Sequence, residues 1–464
     1  MSRSFGPVAC ARPNTLPHSP APAKQAEQQR SCLMVMLLWM MVPGIVCGEQ
    51  ENAATSARMS DAFVDAIGVH VNTNILNPDR TRYAQKLQAS GIRHVRIGFN
   101  EDNDFVKSLY DNYGITTIFN HNAPMPVSDL IRLAAEPHVD AIEGSNEPPK
   151  GLVYNDLADG PGWPFVLPAT IAYQTNLYDA AKSDPRTRDK PVISCSPNDV
   201  KNARFFFPMK CDIQNMHNYP HAGRMPSYHL DQDLLENERM SPVSENPKPV
   251  WSTEVGYGYV KYYVHSLDRE RAITETCGGK YMPRVLAEHF NRSRIQRTYL
   301  HVFQDLGRNI NLDARPATAW YESFGLIRAD FSEKPAYRSV ENLIALLNDK
   351  GISFTPGKLR YSLEGATADV HRTLLQKRNG DFYLLLWQEI SSCITRGDGE
   401  TPPEDIENPP VRVVFHASMS SASVYTDLTD STYKTTNHGS ASRLAIEVPD
   451  EVIVVRITPT SSDR

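Results

Sequence analysis

From residue 61 to residue 348 the chain alternates between short apolar runs and stretches of helical period, and the runs break off in polar residues. Residues 66–69 end in His70 and Asn72, and residues 94–97 enclose Arg96. Residues 115–119 lead into Asn120-His121-Asn122, and residues 141–146 end in Asn146-Glu147-Pro148. Residues 191–194 and 213–216 follow, the latter ending in His217-Asn218-Tyr219. A run from Val250 reaches Glu254, and residues 298–303 end near Gln304 and Asp305. Between them, residues 80–90, 102–113, 127–135, 168–182, 230–240, 280–294 and 334–348 predict helices, several with Gly or Pro at the boundary. Eight such units predict an α/β fold, a (β/α)8 barrel over residues 61–348. A doubly wound open sheet is the alternative, but no glycine-rich phosphate loop follows the first strand.

Beyond residue 348 the period changes. Residues 370–376 and 382–387 alternate as strands around Asn379-Gly380, a hairpin signal. Further strands are expected at 411–415, 422–426, 444–448 and 452–457, with an acidic, proline-rich loop at 396–410. Residues 349–464 thus predict a small antiparallel β-sandwich.

Residues 1–48 stand apart as a leader. An apolar run at 32–42 is broken by Pro43-Gly44, and Val46 and Gly48 supply small residues before a cut. This pattern predicts a cleaved signal peptide, a linker at 49–60, export, and no stable membrane association after cleavage. A retained anchor is the alternative, for a run that is short for a full span.

Composition narrows the picture further. With 41% hydrophobic and 22% charged residues the chain is globular, and a net charge of -6 without a basic cluster argues against nucleic acid as the partner. Outside the leader the cysteines are Cys195, Cys211, Cys277 and Cys393; none has metal-ligand spacing, so neither metal nor cofactor is expected. Export permits a disulfide, for which Cys195 and Cys211 are the pair to test; four isolated buried thiols are the alternative.

The chemistry concentrates in two stretches, residues 141–148 and 250–257. Each runs from apolar residues to a glutamate, as a buried parallel strand does when it delivers a side chain to its C-terminal end. Two carboxylates at two such ends are what glycoside hydrolysis needs, one as acid and one as nucleophile or base. Glu143 lies on the first stretch too, but the strand stops at Pro148, which favours Glu147. Structural partners of rim arginines are the alternative for both glutamates. His70, Asn72, His121 and Asn122 suit a hydroxyl-rich ligand or are loop-polar residues; Trp163, Tyr257 and Trp320 are sugar platforms or packing residues.

Asn146-Glu147-Pro148, His217-Asn218-Tyr219 and Glu254 together resemble the retaining glycoside hydrolases of clan A, the cellulase-like barrel superfamily, and the whole chain resembles bacterial cellulase-type proteins with a C-terminal β domain. The resemblance implies Glu147 as acid/base and Glu254 as nucleophile. It implies Asn146 at the sugar 2-OH, Tyr219 and Arg96 around Glu254, and His217 at substrate or carboxylates. It departs at the end of strand eight, where many cellulases place a tryptophan platform and this chain reads Phe303-Gln304-Asp305. The partner implied is a carbohydrate. A non-catalytic carbohydrate-binding barrel and a transglycosylase remodelling an exopolysaccharide are the alternatives.

Overall fold

The structure is a computed structural model and describes residues 54–72, 79–99, 102–149, 151–160, 167–220, 223–242, 246–259, 272–306, 323–395 and 403–460. The leader, Trp163, Trp320 and part of the 396–410 loop lie outside the described residues.

The first part of the described chain is mixed α/β. Its strands are β1 (Ile67–His70), β2 (His94–Gly98), β3 (Thr116–Asn120), β4 (Ile142–Glu143), β5 (Val192–Ile193), β6 (Gln214–His217), β7 (Val250–Val255) and β8 (Ile295–Leu300). Six of them form a curled parallel sheet in the order β6-β7-β8-β1-β2-β3. β4 pairs in parallel with β5. Single parallel bridges tie Thr117 to Val139 and His121 to Ser145 beside β4, and Ile193 on β5 to Ile213 beside β6. β8 starts at Ile295, not at 298 as its apolar pattern suggests.

The helices are α1 (Ser60–Asp65), α2 (Arg80–Ala89), α3 (Asn103–Tyr113), α4 (Val127–Ala134), α5 (Pro168–Ser183), α6 (Leu230–Glu238), α7 (Glu275–Asn291) and α8 (Pro335–Leu347). Local chemistry sets their ends. Asp102 accepts from the Phe105 N–H to start α3, and Gly114, at φ +68°, closes it in the left-handed region. Pro168 and Pro335 occupy first turns, where no N–H is missed. None of the described helices is long and apolar enough to cross a membrane.

Side chains alternate along the strands, and the alternation builds layers. Ile118, Ala141, Ile193, Ile213, Trp251 and Tyr299 form one apolar cluster drawn from β3 to β8 and the residues just before β4 and β6. The Tyr299 ring lies over Gly68 of β1, where a Cβ would come within 2.5 Å of it. Two residues further along, the same face carries His70, Asn120, Glu143, Asn215, Thr253 and His301. The apolar layer seals the floor, and polar groups collect above it, at the C-terminal ends of the strands.

The second part is an antiparallel, β-sandwich-like sheet whose main path runs Ser362–Gly365, Val411–Thr426, Ile453–Pro459, Phe382–Gln388, Val370–Gln376. The strand Phe382–Gln388 is buried along its whole length. Phe382, Leu384 and Leu386 enter the core within the sheet domain, while Tyr383, Leu385 and Trp387 join the core shared with the helices. A strand covered on both faces needs an unbroken apolar run, which the sequence has here. The sheet also recruits residues from the other end of the described chain, which the sequence reading leaves to a linker. Ala54–Ser56 pairs with Lys358–Arg360, and Arg58–Met59 pairs in parallel with Leu375 and Gln376.

Candidate active site

β2 and β4 bring the first ion pair together. Arg96 Nε and Nη2 donate to the two carboxylate oxygens of Glu143 at 2.7 and 2.9 Å, and both side chains are fully buried. Arg96 reaches two more partners: Nη1 donates to Glu254 Oε1 at 2.6 Å, and Nη2 to Asn146 Oδ1 at 2.7 Å. One guanidinium therefore fixes three side chains, from β4, the segment just past it and β7, a task suited to its planar fork of donors.

Glu254 is held from its other side by Tyr219, whose Oη donates to Oε2 at 2.6 Å. Burial opposes ionisation of Glu254, but the positive field of His217, His301, Arg96 and His70 outweighs it and holds the carboxyl well below the usual range. Burial, together with Arg96, also drives His70 well below its ordinary value, and burial lowers His301. Arg96 is therefore the lasting cation beside Glu254, and the carboxylate is charged at neutral pH.

Glu147 sits differently. It lies just past β4 at φ +37°, in the left-handed region that a side chain rarely adopts, and its own side chain is 37% exposed. Its N–H donates to Ser196 Oγ at 3.0 Å, which helps to hold that turn. Its Oε1 lies 2.8 Å from His217 Nδ1.

The state of His217 follows from its partners. Thr253 Oγ1 lies 3.0 Å from Glu143 Oε1 and 2.8 Å from Asn215 Oδ1, two acceptors for its single proton. It must therefore accept from His217 Nε2, 3.0 Å away. With a proton on Nε2, the short contact from Nδ1 to Glu147 requires one further proton between the two groups, carried by the carboxyl or by the ring. The same Nδ1 lies 3.6 Å from Glu254 Oε2.

A ligand atom of Glu147, His217 and Glu254 each lies within 4.8 Å of the others, and so do those of His70, Glu254 and His301. Both triads share Glu254, whose oxygens already meet a guanidinium and a phenol, so the setting favours a proton over a divalent cation.

The structure brings Arg96, Asn146, Glu147, His217, Tyr219 and Glu254 together, with His70 beside them: His70 Nδ1 lies 2.9 Å from His301 Nδ1. Other sequence candidates lie elsewhere. His121 has the opposite parity to Asn120 and bonds through Nε2 to Tyr173 Oη on α5 at 2.9 Å. Asn122 is exposed, and Asn72 is half-buried in the loop after β1. Tyr257 is buried against Tyr281, with its Oη donating to the Arg224 carbonyl at 2.8 Å. Asp305 accepts from Lys334 Nζ at 2.7 Å and from the Gly325 N–H, a structural pair. At the end of β8 the inward residue is His301, within 3.9 Å of Glu254 Oε2; Phe303 turns outward onto Tyr83 and Tyr337. Sequence reading misses His301, Thr253 and Asn215. Two-residue stepping forward from Tyr299 on the true register of β8 is the signal that reaches His301.

No model of a known protein family matches the sequence, and no curated protein does. Solved structures do. A family 39 glycoside hydrolase from Bacteroides cellulosilyticus WH2 superposes at a TM-score of 0.53 with 12% identity, over 87% of this chain and 83% of that one. A GH2 β-galacturonidase from Eisenbergiella tayi gives 0.44 and 16%, over 64% of this chain and 52% of that one. A β-glucuronidase from Parabacteroides merdae gives 0.42 and 11%, over 84% of this chain and 58% of that one. At these identities the likeness to the first speaks to the fold, and the other two scores are too low to add to it.

Proposed function

We propose that the protein is an exported, retaining glycoside hydrolase of the clan A type, built on a closed (β/α)8 barrel. The observation that carries this reading is the pair of carboxylates, Glu147 and Glu254, with an oxygen of each within 4.8 Å of one another in unequal surroundings. Inverting enzymes keep the two groups about 6.5–9.5 Å apart to admit a water, whereas retaining ones need only about 5–5.5 Å. Barrel closure is supported by the bridges that carry the parallel pairing from β3 past β4 and β5 to β6.

Each group has a role suited to its setting. Glu254, ionised and held by Arg96 and Tyr219, attacks the anomeric carbon. Glu147, which with His217 holds one proton, gives it to the leaving glycosidic oxygen. Forming the glycosyl ester removes the charge of Glu254. The Glu147 carboxylate then takes a proton from water, which attacks the same carbon from the opposite side, so the configuration is retained. Asn146 offers Oδ1 to Arg96, which leaves its amide Nδ2 to donate to the sugar 2-OH.

The test uses azide. With a dinitrophenyl glycoside, which needs no acid, Glu147→Ala should still form the glycosyl-enzyme and stall; azide should restore turnover and give a glycosyl azide of retained configuration. Glu254→Ala should lose hydrolysis, and azide should give the inverted product. Opposite stereochemistry would swap the roles. Wild-type rates in both variants would move the chemistry elsewhere, and binding without turnover by the parent enzyme would favour a carbohydrate-binding barrel. Export rests on the leader, and a mature N-terminus between Gly48 and Ser60 on the secreted chain is the expected result.

A further inference from the structure

The four described cysteines are free and buried, but they are not equivalent. Cys195 Sγ is directed at Gln174 Oε1, 3.2 Å away, and Cys211 Sγ at the Met209 carbonyl, so each points at its own partner. Cys277 and Cys393 meet at one corner of the fold, where contacts between their neighbours bring them together. Tyr281, one turn beyond Cys277 on α7, accepts through Oη from the N–H of Ser392, the neighbour of Cys393, at 2.9 Å. Thr274, which caps α7 through the Cys277 N–H, also bonds Asp405, the residue paired with Cys393 in the hairpin Cys393–Ile394/Glu404–Asp405. The two thiols are close enough to shift one another's pKa, with Cys393 Sγ also 3.9 Å from its neighbouring Ile394 carbonyl.

We propose that Cys277 and Cys393 are a disulfide-forming pair that covalently staples α7 to the β domain when the chain meets an oxidising thiol–disulfide pool. The chemistry is exchange with an external disulfide. One protein thiolate attacks it, expelling one external thiol and leaving a mixed disulfide. The second protein thiolate then attacks the protein sulfur of that bond and expels the other. One S–S bond forms in the protein and one is lost outside; two electrons and two protons leave on two external thiols. Cys393 is the first nucleophile: the neighbouring Cys277 thiol lowers its pKa, while burial raises that of Cys277 well above its ordinary value.

The position gives the staple a purpose. The same corner anchors the loops that follow the strands bearing Tyr219 and Glu254. Tyr281 Oη donates to the Gly223 carbonyl after β6, and the Ser227 N–H donates to Glu389 of the β domain. Cys277 itself follows the parallel pairing of Gly258–Tyr259, just past β7, with Ala272–Ile273. Locking α7 to the sheet therefore braces the βα loops of β6 and β7 together.

The test takes the full chain, oxidised with glutathione disulfide during refolding, then alkylated in denaturant without reductant and digested. A Cys277–Cys393 linked peptide with Cys195 and Cys211 alkylated is expected; alkylated Cys277 and Cys393, or a Cys195–Cys211 link, overturns the proposal. As a second measurement, reductant should lower the Tm of the oxidised chain by about 5 °C. In Cys277→Ser/Cys393→Ser reductant should have no effect; an equal shift in that variant places the effect elsewhere. The mapping needs no variant to fold, and neither readout depends on glycosidase activity.

Discussion

Arg96 meets Glu143, Asn146 and Glu254 at 2.6–2.9 Å without any exposure of its own. Two buried carboxylates around one guanidinium leave the site one negative charge in excess, which the phenol of Tyr219 and the dipoles of Asn215 and Thr253 spread. Arg96→Met would strand both carboxylates. A loss of about 3–5 kcal/mol in denaturant unfolding is expected, the range for breaking a buried pair from one side. kcat/KM on an aryl glycoside should fall at least about 100-fold, because the Glu254 carboxylate would no longer be held charged or in place. A variant within about 1 kcal/mol of the parent would show that the cluster is not a closed ion network. Lysine is a poor substitute: a single ammonium cannot meet the Glu143 fork and Glu254 together.

At the scale of elements, two backbone irregularities set the site. In the β6–β7 pairing Met216 faces Ser252 and His217 faces Glu254, with Thr253 skipped. This bulge lets Thr253 bond Glu143 and His217 while the next residue, Glu254, still bonds Arg96. The second is the end of β4, where a left-handed Glu147 follows two residues after Asn146's neighbour Ser145 on a strand packed too closely for any Cβ at Gly144. A Cβ there would lie 2.1 Å from Gln174 Oε1 and 2.6 Å from the Cys195 nitrogen. The side chain of Gln174 can shift, but the Ser194–Cys195 backbone just past β5 cannot. Gly144→Ala should cost about 3 kcal/mol in thermal or denaturant unfolding, and it should lower kcat by displacing Asn146 and Glu147. A neutral outcome would mean that β4 and β5 lie further apart than described.

At the scale of the molecule, α7 joins the two parts. It is buried almost throughout, and Arg284 on it donates to Glu389 at 2.8 Å, to Ser392 and to the Ile390 and Asp450 carbonyls of the β domain. Buried imidazoles give the fold a pH dependence. Burial pushes His121 and His289 down to about 3, and it drives His70 and His301 below their ordinary value as well. In the unfolded chain each would take a proton near pH 6.5, so the unfolded state binds more protons and stability falls as pH drops below that value. His121 and His289 should each cost about 2 kcal/mol by pH 5. His371 works in the opposite sense: its hydrogen bond to Glu288 raises it, so its contribution is present at low pH and fades as pH rises through the folded value. That side chain is partly exposed, which keeps its effect small. Burial raises Asp233 and Glu451 to about 7, and these stabilise the fold as pH falls. The imidazole effect is therefore read by comparing urea midpoints of the parent and His121→Asn/His289→Asn at pH 7, 6 and 5. The parent should lose more than the variant on acidification, and an equal change in both would place these imidazoles in contact with water.

The alternation of apolar runs with helical period, the antiparallel texture after residue 348, and the two glutamates at strand ends were all legible in the sequence, because each depends on spacing within a single element. So were Asn146, His217 and Tyr219, which sit at period two around their strand ends. What required the tertiary structure depends on register between distant elements. Apolar pattern alone slides β8 toward Phe303, because Val302 and Phe303 are as hydrophobic as Tyr299 and Leu300; only pairing with β1 and β7 puts His301 beside Glu254. Parity cannot warn of a bulge, so Thr253 and Glu254 on one side are invisible to it. Residues 54–59 are too short and too polar to announce strands, and they become strands because the edges at Lys358–Arg360 and Leu375–Gln376 supply partners. Cys277 and Cys393 stand 116 positions apart, and nothing but the docking of α7 on the sheet brings them to one corner.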